Sequence, residues 1–195
     1  MGEPDDPIGP ALIKSCLEGD QDAWRRLVEA TQGDVYALCL RILRDPDDAA
    51  EATQETYIKV WRNLGAFRGD ALFTTWLYRV AANAAISRQR SRKRRREREV
   101  GGDDVLIQVP ASGSTEIEAG ARMDLRVVES YVERLPEHYR SVVVLKDVYG
   151  FSISEIAEHL KISETATKVR LHRARKKLKD MVTGGQSASV LEEES

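Results

Sequence analysis

The chain has 195 residues, of which 42% are hydrophobic and 32% are charged, and its formal net charge is -2. This length allows one or two small domains, and the composition is that of a water-soluble globular protein. The sequence contains no run of 18 apolar residues and begins with the acidic segment MGEPDDPIGP. We therefore expect no membrane insertion, no signal peptide and a cytoplasmic location.

The N-terminal part of the chain shows only helical periodicity. A first helix is predicted over residues 10–17, and Asp20 is a suitable N-cap for a longer second helix. Asp45 followed by Pro46 is typical of a new helix start, so a third helix is predicted to reach about Asn63. The apolar stripe of this third helix is predicted to comprise Ala50, Thr53, Tyr57, Val60, Trp61 and Leu64.

A fourth helix is predicted to begin near Leu72 and to continue into a cluster of positive charge. Residues 88–98 contain eight lysines and arginines and a single glutamate. From residue 99 the composition changes to Gly, Ser, Pro and acidic residues, and residues 99–121 hold five acids and no base. Such a composition is typical of a flexible linker. We therefore predict a first domain over 1–98 and a flexible acidic linker over 99–120.

The last third of the chain predicts a helix-turn-helix, because SISEIAEHL is followed by a KIS turn and by ETATKVRLHRARKKLK. Ser152 and Glu155 have the spacing of a capping box, and Ser163 can cap the second helix. Positive charges cover the polar faces of that second helix: Lys168, Arg170, Arg173, Arg175, Lys176, Lys177 and Lys179. A short helix across a longer cationic one is suited to the DNA major groove, whereas the alternative is a solvated basic helix. The second domain is predicted over 121–182, with a disordered tail over 183–195.

Catalytic and metal-binding patterns are not apparent in this sequence. The three histidines lie apart, and Cys16 and Cys39 do not have the spacing of a metal site. Both cysteines fit apolar helix faces, so we predict buried free thiols. We expect no enzyme activity, no catalytic residue, no metal and no cofactor.

Three segments of the chain resemble the extracytoplasmic-function (ECF) sigma factors of bacterial RNA polymerase. LPEHYRSVVVLKDVYGFSISEIAEHLKIS with KVRLHRARKKL resembles the fourth domain of that family. DPDDAAEATQETYIKVWRNL resembles its polymerase-binding segment, and FRGDALFTTWLYRVAANAAISRQRSRKRR resembles its −10 promoter segment. The chain departs from the family at residues 165–167, where Gly-Thr-Val is common, and at Ala82, where Arg is common. The resemblance implies an all-α protein of two small helical domains joined by a flexible acidic linker, the C-terminal one containing the helix-turn-helix.

The resemblance also implies an alternative sigma factor, which binds core RNA polymerase and directs promoter-specific initiation through −35 and −10 recognition and −10 melting. The residues implied to bind core polymerase are Glu51, Gln54, Glu55, Lys59 and Arg62. Those implied to meet the −10 element are Phe67, Arg68, Gly69, Asp70, Phe73, Asn83, Arg88 and Arg92. Those implied to meet the −35 element are Lys168, Arg170, Arg173, Lys176, Lys177 and Lys179. An anti-sigma factor is a further implied partner. The linker is implied to thread the polymerase cleft where nascent RNA will lie, and the alternative is a spacer that only joins the two domains.

Two other functional classes stay open on the residues alone. A conventional helix-turn-helix regulator with an N-terminal sensing or dimerisation domain predicts tight, sequence-specific DNA binding by the isolated protein. An RNA-binding or structural adaptor predicts salt-sensitive binding that is indifferent to sequence.

Overall fold

The computed structural model of the chain describes residues 8–100 and 125–192, and for residues 96, 97, 99, 100, 125–128 and 184–192 it describes the backbone only. The predicted linker lies outside the described residues from position 101 onward. Throughout the described ranges every regular element is helical, which confirms the predicted all-α fold. The chain forms two compact units, the first ending at Arg94 and the second beginning at Arg95.

The N-terminal unit is built on four helices: α1 (Pro10–Leu17), α2 (Gln21–Leu43), α3 (Pro46–Asn63) and α4 (Phe73–Val100), the last of which belongs to this unit as far as Arg94. Two predicted N-caps are present, since the Asp20 carboxylate accepts a hydrogen bond from the backbone N–H of Asp22 at 2.8 Å. The Asp45 carboxylate likewise accepts one from the N–H of Asp48 at 2.9 Å. These caps satisfy N–H groups that have no partner within the helix, so they place the starts of α2 and α3.

The buried face of α3 differs by about one residue from the predicted stripe. Ala49, Ala52, Thr56 and Val60 are buried, whereas Ala50 and Trp61 are exposed, so the prediction for these last two was wrong. The reason is the close packing of α2 along α3, which favours small side chains at the contact. The bulky Trp61 indole lies at the edge of this contact, with its ring centroid 4.9 Å from that of Trp24.

A polar contact joins α2 to α3 beside the apolar core. The Thr31 hydroxyl donates to the carbonyl oxygen of Leu27 at 2.7 Å and lies 2.7 Å from the Tyr57 hydroxyl. A threonine has a single hydroxyl proton, so Tyr57 must be the donor in the second contact. Burial raises the pKa of Tyr57, which keeps that proton in place. The shared hydroxyls therefore fix α3 against α2 without a buried charge.

The C-terminal unit contains α5 (Leu125–Arg134), α6 (Glu137–Val143), α7 (Ile153–Leu160) and α8 (Glu164–Glu192). A π-helical turn over Val144–Val148 continues α6. The structure extends α8 to Glu192, although a disordered tail was predicted from residue 183. No proline interrupts this stretch, and an existing helix gains one hydrogen bond for each residue added.

The core of the C-terminal unit surrounds α6. Ser141 to Leu145 are all buried, because α6 packs against α5 and α8 while its π-helical turn contacts α7. Arg140 is also buried, at 5% exposure, and donates a hydrogen bond to the carbonyl oxygen of Leu135 at 3.0 Å. The sequence analysis did not single out Arg140; its position after the α5–α6 corner shows that it stabilises this turn.

Candidate nucleic-acid and protein interfaces

The predicted polymerase-binding residues share the side of α3 that faces away from α2. Glu51, Gln54 and Arg62 are exposed, while Glu55 and Lys59 are half-buried and form an ion pair of 2.7 Å one helical turn apart. Charged pairs at this spacing add only about 0.3–0.5 kcal/mol to helix stability. Glu51 also pairs with Arg88 of α4, whereas Gln54, Glu55, Lys59 and Arg62 remain available to a partner at little cost to the fold.

Two large apolar side chains lie on the same helix and were missed as surface residues. Ile58 is 51% exposed and Trp61 is 60% exposed. Charged residues alone make poor interface centres, whereas exposed tryptophan often contributes much of the binding energy. The signal that could have found them is the spacing of Ala49, Ala52 and Thr56, which defines the opposite face of α3 as the buried one.

The loop between α3 and α4 presents exposed polar groups beside a cluster of aromatic side chains. Arg68, Gly69 and Asp70 are exposed, and Gly69 has a φ of 77°, a conformation that favours glycine. The Phe67 ring is half-buried and lies 5.5 Å from Phe73 and 5.7 Å from Trp76, measured between centroids. Phe73 is only 1% exposed, so it supports the Phe67 ring from beneath rather than offering a surface of its own.

Helix α4 divides its predicted DNA-contacting residues between two environments. Asn83 is exposed, as expected for a residue that reads a base edge. Arg88 and Arg92 instead form ion pairs with Asp48 of α3, at 2.5 Å and 3.1 Å. From the sequence, Asp48 was expected only to favour the positive end of the helix dipole, and its pairing was not predicted because its partners lie 40 and 44 residues away. The contact of Arg88 and Arg92 with promoter DNA stays a prediction.

The helix-turn-helix is formed by α7 and α8, and its predicted caps are present. The Ser152 hydroxyl accepts from the N–H of Glu155 at 3.2 Å, and the Glu155 carboxylate accepts from the N–H of Ser152 at 2.8 Å. The Ser163 hydroxyl accepts from the N–H of Ala166 at 3.1 Å and so begins α8. Lys161 takes a left-handed conformation, with a φ of 52°, which ends α7 and turns the chain.

The faces of α8 separate as predicted from their periodicity. The helical spacing predicts one apolar face of Thr167, Leu171, Ala174 and Leu178; the first three are buried and Leu178 is half-buried. All six residues predicted to meet the −35 element lie on the other faces. Lys168, Lys176, Lys177 and Lys179 are exposed, and Arg170 and Arg173 are half-buried.

Arg175 differs from the other cations of α8, because it forms a two-pronged ion pair with Asp147. Its Nε donates to one carboxylate oxygen at 3.1 Å, and its Nη2 contacts the other oxygen. Hydrogen bonding and the charge of Asp147 raise the pKa of Arg175 despite its partial burial. Arg175 therefore ties α8 to the π-helical turn after α6.

Groups typical of metal or redox sites are not brought together in the described parts of the chain. No three or more His, Cys, Asp or Glu side chains there are placed to hold a metal ion. Cys16 and Cys39 are buried free thiols, as predicted. Burial raises the pKa of Cys39 to about 11, which keeps its thiol protonated. None of the described helices is both long and apolar enough to cross a membrane.

Comparison with sequence families places both units in one family. The family described as "Sigma-70 region 2" matches residues 27–95, and "Sigma-70, region 4" matches residues 125–178. The ECF RNA polymerase sigma factor SigW of Bacillus subtilis is 35% identical over 173 residues, which cover 86% of this chain and 92% of SigW. The RNA polymerase sigma-H factor of Pseudomonas aeruginosa is 32% identical over 170 residues, covering 84% and 88% of the two chains.

Solved structures show the same architecture. CnrH, solved in complex with the cytosolic domain of CnrY, matches with a TM-score of 0.53 and 26% identity over 93% of this chain and 99% of its own. The sigma factor RpoE of Bartonella quintana, solved with the anti-sigma factor NepR, matches in fold with a TM-score of 0.55 and 21% identity, over 82% and 96% of the chains. Both helical units match sigma-70 families in the expected order, and relatives are more than 30% identical along most of their length. The chain therefore belongs to the ECF sigma factors of bacterial RNA polymerase.

Proposed function

We propose that this sigma factor binds core RNA polymerase through α3 and directs it to promoters through separate contacts with the −10 and −35 elements. The observation that carries the proposal is the presence, in one chain, of a capped helix-turn-helix with a cationic α8 and a second helical unit whose α3 presents an exposed mixed surface. The chemistry of RNA synthesis belongs to the polymerase, so the chain itself acts without catalytic residues.

The −35 element is read by the N-terminal part of α8. Arg170 and Arg173 are half-buried, so their stems are held by the unit and their guanidinium groups can be aimed at base edges. Lys168, Lys176, Lys177 and Lys179 are exposed and flexible, which suits contacts with phosphates. This division predicts that sequence preference depends on the arginines, while the lysines supply affinity common to all sequences.

The −10 element is held by the loop between α3 and α4 together with Asn83. An unpaired base needs a polar pocket with an aromatic wall, and Phe67 stands beside Arg68 and Asp70 in this loop. Asn83 can form paired hydrogen bonds with a base edge. We therefore assign to this unit both the recognition and the melting of the −10 element.

The polymerase-binding surface of α3 combines the predicted polar residues with Ile58 and Trp61. The exposed apolar side chains supply a centre that a partner can bury, and the flanking Glu51, Gln54 and Arg62 supply a polar rim. This pattern of an apolar centre with a polar rim is typical of protein interfaces and supports α3 as the docking helix.

An anti-sigma factor is the remaining partner that we propose. CnrH, which covers nearly the whole of this chain, was solved in complex with the cytosolic domain of CnrY. A protein that covers Trp61 and α8 would withhold both polymerase and DNA surfaces. The acidic linker, which lies outside the described residues, is proposed to thread the polymerase cleft when no such partner is bound.

The proposal is tested by run-off transcription with core polymerase and a library of promoters. We expect transcripts that require the chain and that disappear when −35 or −10 sequences are scrambled. The double variant R170A/R173A should lose transcription from −35-dependent promoters. The matched control is R26A, which removes an exposed arginine of α2 that lies outside these surfaces. Equal transcription with and without the chain would contradict the proposed function.

A further inference from the structure

Two arginines of the basic cluster on α4 point inward, toward the corner where α2 meets α3. Arg88 Nε lies 2.5 Å from one oxygen of Asp48, and Arg88 Nη1 lies 2.5 Å from Glu51. Arg92 Nη1 lies 3.1 Å from the other oxygen of Asp48, and Arg92 Nη2 donates to the carbonyl oxygen of Leu43 at 3.5 Å. Leu43 ends α2 and Asp48 lies in the first turn of α3. One carboxylate thus joins two successive turns of α4 to the α2–α3 corner.

These contacts are more enclosed than an ordinary surface ion pair. The Asp48 side chain is 17% exposed, and those of Arg88 and Arg92 are 28% and 24% exposed. Burial alone raises the pKa of Asp48, but the hydrogen bonds and charges of Arg88 and Arg92 outweigh burial and lower it. The carboxylate is therefore ionised and has two directional partners, unlike a flexible surface pair.

Holding Arg88 and Arg92 inward fixes which residues of α4 face outward. A helix turns by about 100° per residue, so positions 79, 83, 90 and 94 lie on the side opposite these two arginines, with position 87 at the edge of that side. Asn83, Ser87 and Arg94 are exposed along this row. Arg90, in the same row, is half-buried, and burial together with the nearby charge of Arg94 lowers its pKa. The positive charges along this row repel one another, and bound phosphate groups would reduce that repulsion.

We infer that Asp48 is a positioning residue for promoter recognition. It holds Arg88 and Arg92 as internal anchors that set the rotation of α4, so that Asn83 and the outward arginines meet the DNA. For the two anchors, this inference replaces the predicted contact with the −10 element. This inference rests on the proposed function. It divides a cluster that looks uniform in sequence into an anchoring pair and a phosphate-contacting row.

The first test compares two arginines that lie two residues apart, using holoenzyme assembled from the full chain and core polymerase. Affinity for a promoter fragment is measured over a series of salt concentrations. The slope of log K against log salt concentration is negative. Removing one phosphate-binding cation reduces its absolute value by about 0.9 on duplex DNA and about 0.7 on a single strand. We expect R94Q to reduce the absolute value of the slope by about this amount and R92Q to leave it at the wild-type value. In R92Q, Asp48 retains Arg88, so no carboxylate is left unpaired. A full decrease in slope for R92Q would overturn the inference.

The second test asks whether Asp48 controls specificity. We expect D48N to reduce the ratio of affinities for native and substituted −10 sequences by about fivefold or more, which corresponds to one paired base contact. Discrimination at the −35 element, which is read by the other unit, should be unchanged. The matched control is D47N, which alters the neighbouring exposed carboxylate in the first turn of α3.

The outcomes separate this inference from the proposed function. A lower melting temperature of D48N with −10 discrimination intact would overturn it, because Asp48 would then serve stability alone. If D48N does not fold, the comparison of R92Q with R94Q decides the matter. Failure of the wild-type holoenzyme to distinguish promoters would instead refute the proposed function.

Discussion

Replacing Trp61 by alanine tests whether the exposed apolar part of α3 is the centre of the polymerase-binding surface. Trp61 is 60% exposed. A tryptophan side chain presents about 250 Å² of surface, so about 150 Å² is open to a partner. At about 25 cal/mol per Å², its complete burial would contribute at most about 4 kcal/mol. The ordering of side chains on binding reduces this, so we expect W61A to lose about 2–3 kcal/mol, or about 30- to 150-fold in the Kd for core polymerase.

The same substitution also weakens the fold, and the two effects must be separated. The remaining area of about 100 Å² is buried in part against Trp24, so its loss lowers the free energy of unfolding by up to about 2.5 kcal/mol. W61F retains an aromatic ring at this contact and should recover most of the stability. The double substitution of Glu55 and Lys59 by glutamine offers a comparison, since surface changes rarely alter stability by more than about 0.5 kcal/mol. It should weaken polymerase binding while leaving the fold unchanged.

The assay is a titration of labelled chain with core polymerase, followed by fluorescence anisotropy, beside thermal unfolding of each variant. R26A, on the exposed surface of α2, is the control for a change outside the interface. A folded W61A variant with the wild-type Kd would refute the reasoning. Trp61 would then be a partly packed edge of the N-terminal unit and not part of the interface.

Three further predictions concern other parts of the chain. R170A should lose about 1–3 kcal/mol of binding free energy that depends on a single −35 position, whereas K176A should weaken binding to all −35 variants alike. Affinity is measured across a panel of substituted promoters, and a uniform loss for R170A would reassign Arg170 to a phosphate contact. Burial raises the pKa of both Cys16 and Cys39, so iodoacetamide at about pH 8 should label neither thiol in the native chain and both thiols in urea. Mass spectrometry detects the label, and labelling of the native chain would contradict the burial of these thiols. Because the pKa of Asp48 is lowered in the folded chain, its ion pairs stabilise the fold above the ordinary aspartate pKa, and this stabilisation is lost as the pH falls through the lowered pKa. Between about pH 6 and pH 3 the wild type should therefore lose more unfolding free energy than D48N. Equal losses would show that Asp48 is not responsible.

Local features of the sequence were sufficient for the helices and the class of protein. Asp20, Asp45 and Ser152 cap their helices where predicted, because a cap depends on a side chain and N–H groups two or three residues away. The cationic faces of α8 followed from periodicity, since its buried residues repeat at helical spacing. The resemblance of three segments, in the order found in the family, then indicated the family that the comparisons confirmed.

The tertiary structure alone decided which faces and which charges are available. Trp61 was placed on the apolar stripe of α3 by its helical spacing, yet the contact with α2 selected the small side chains of Ala49 and Ala52 by shape. Arg88 and Arg92 are indistinguishable from their neighbours in sequence, and only packing brings Asp48 within reach of both. Caps and periodicity act over a few residues, whereas packing and ion pairing between helices depend on side chains that are distant in the chain. For that reason the sequence was enough to locate the helices that we propose to contact DNA, and the fold was needed to show which of their cations face outward.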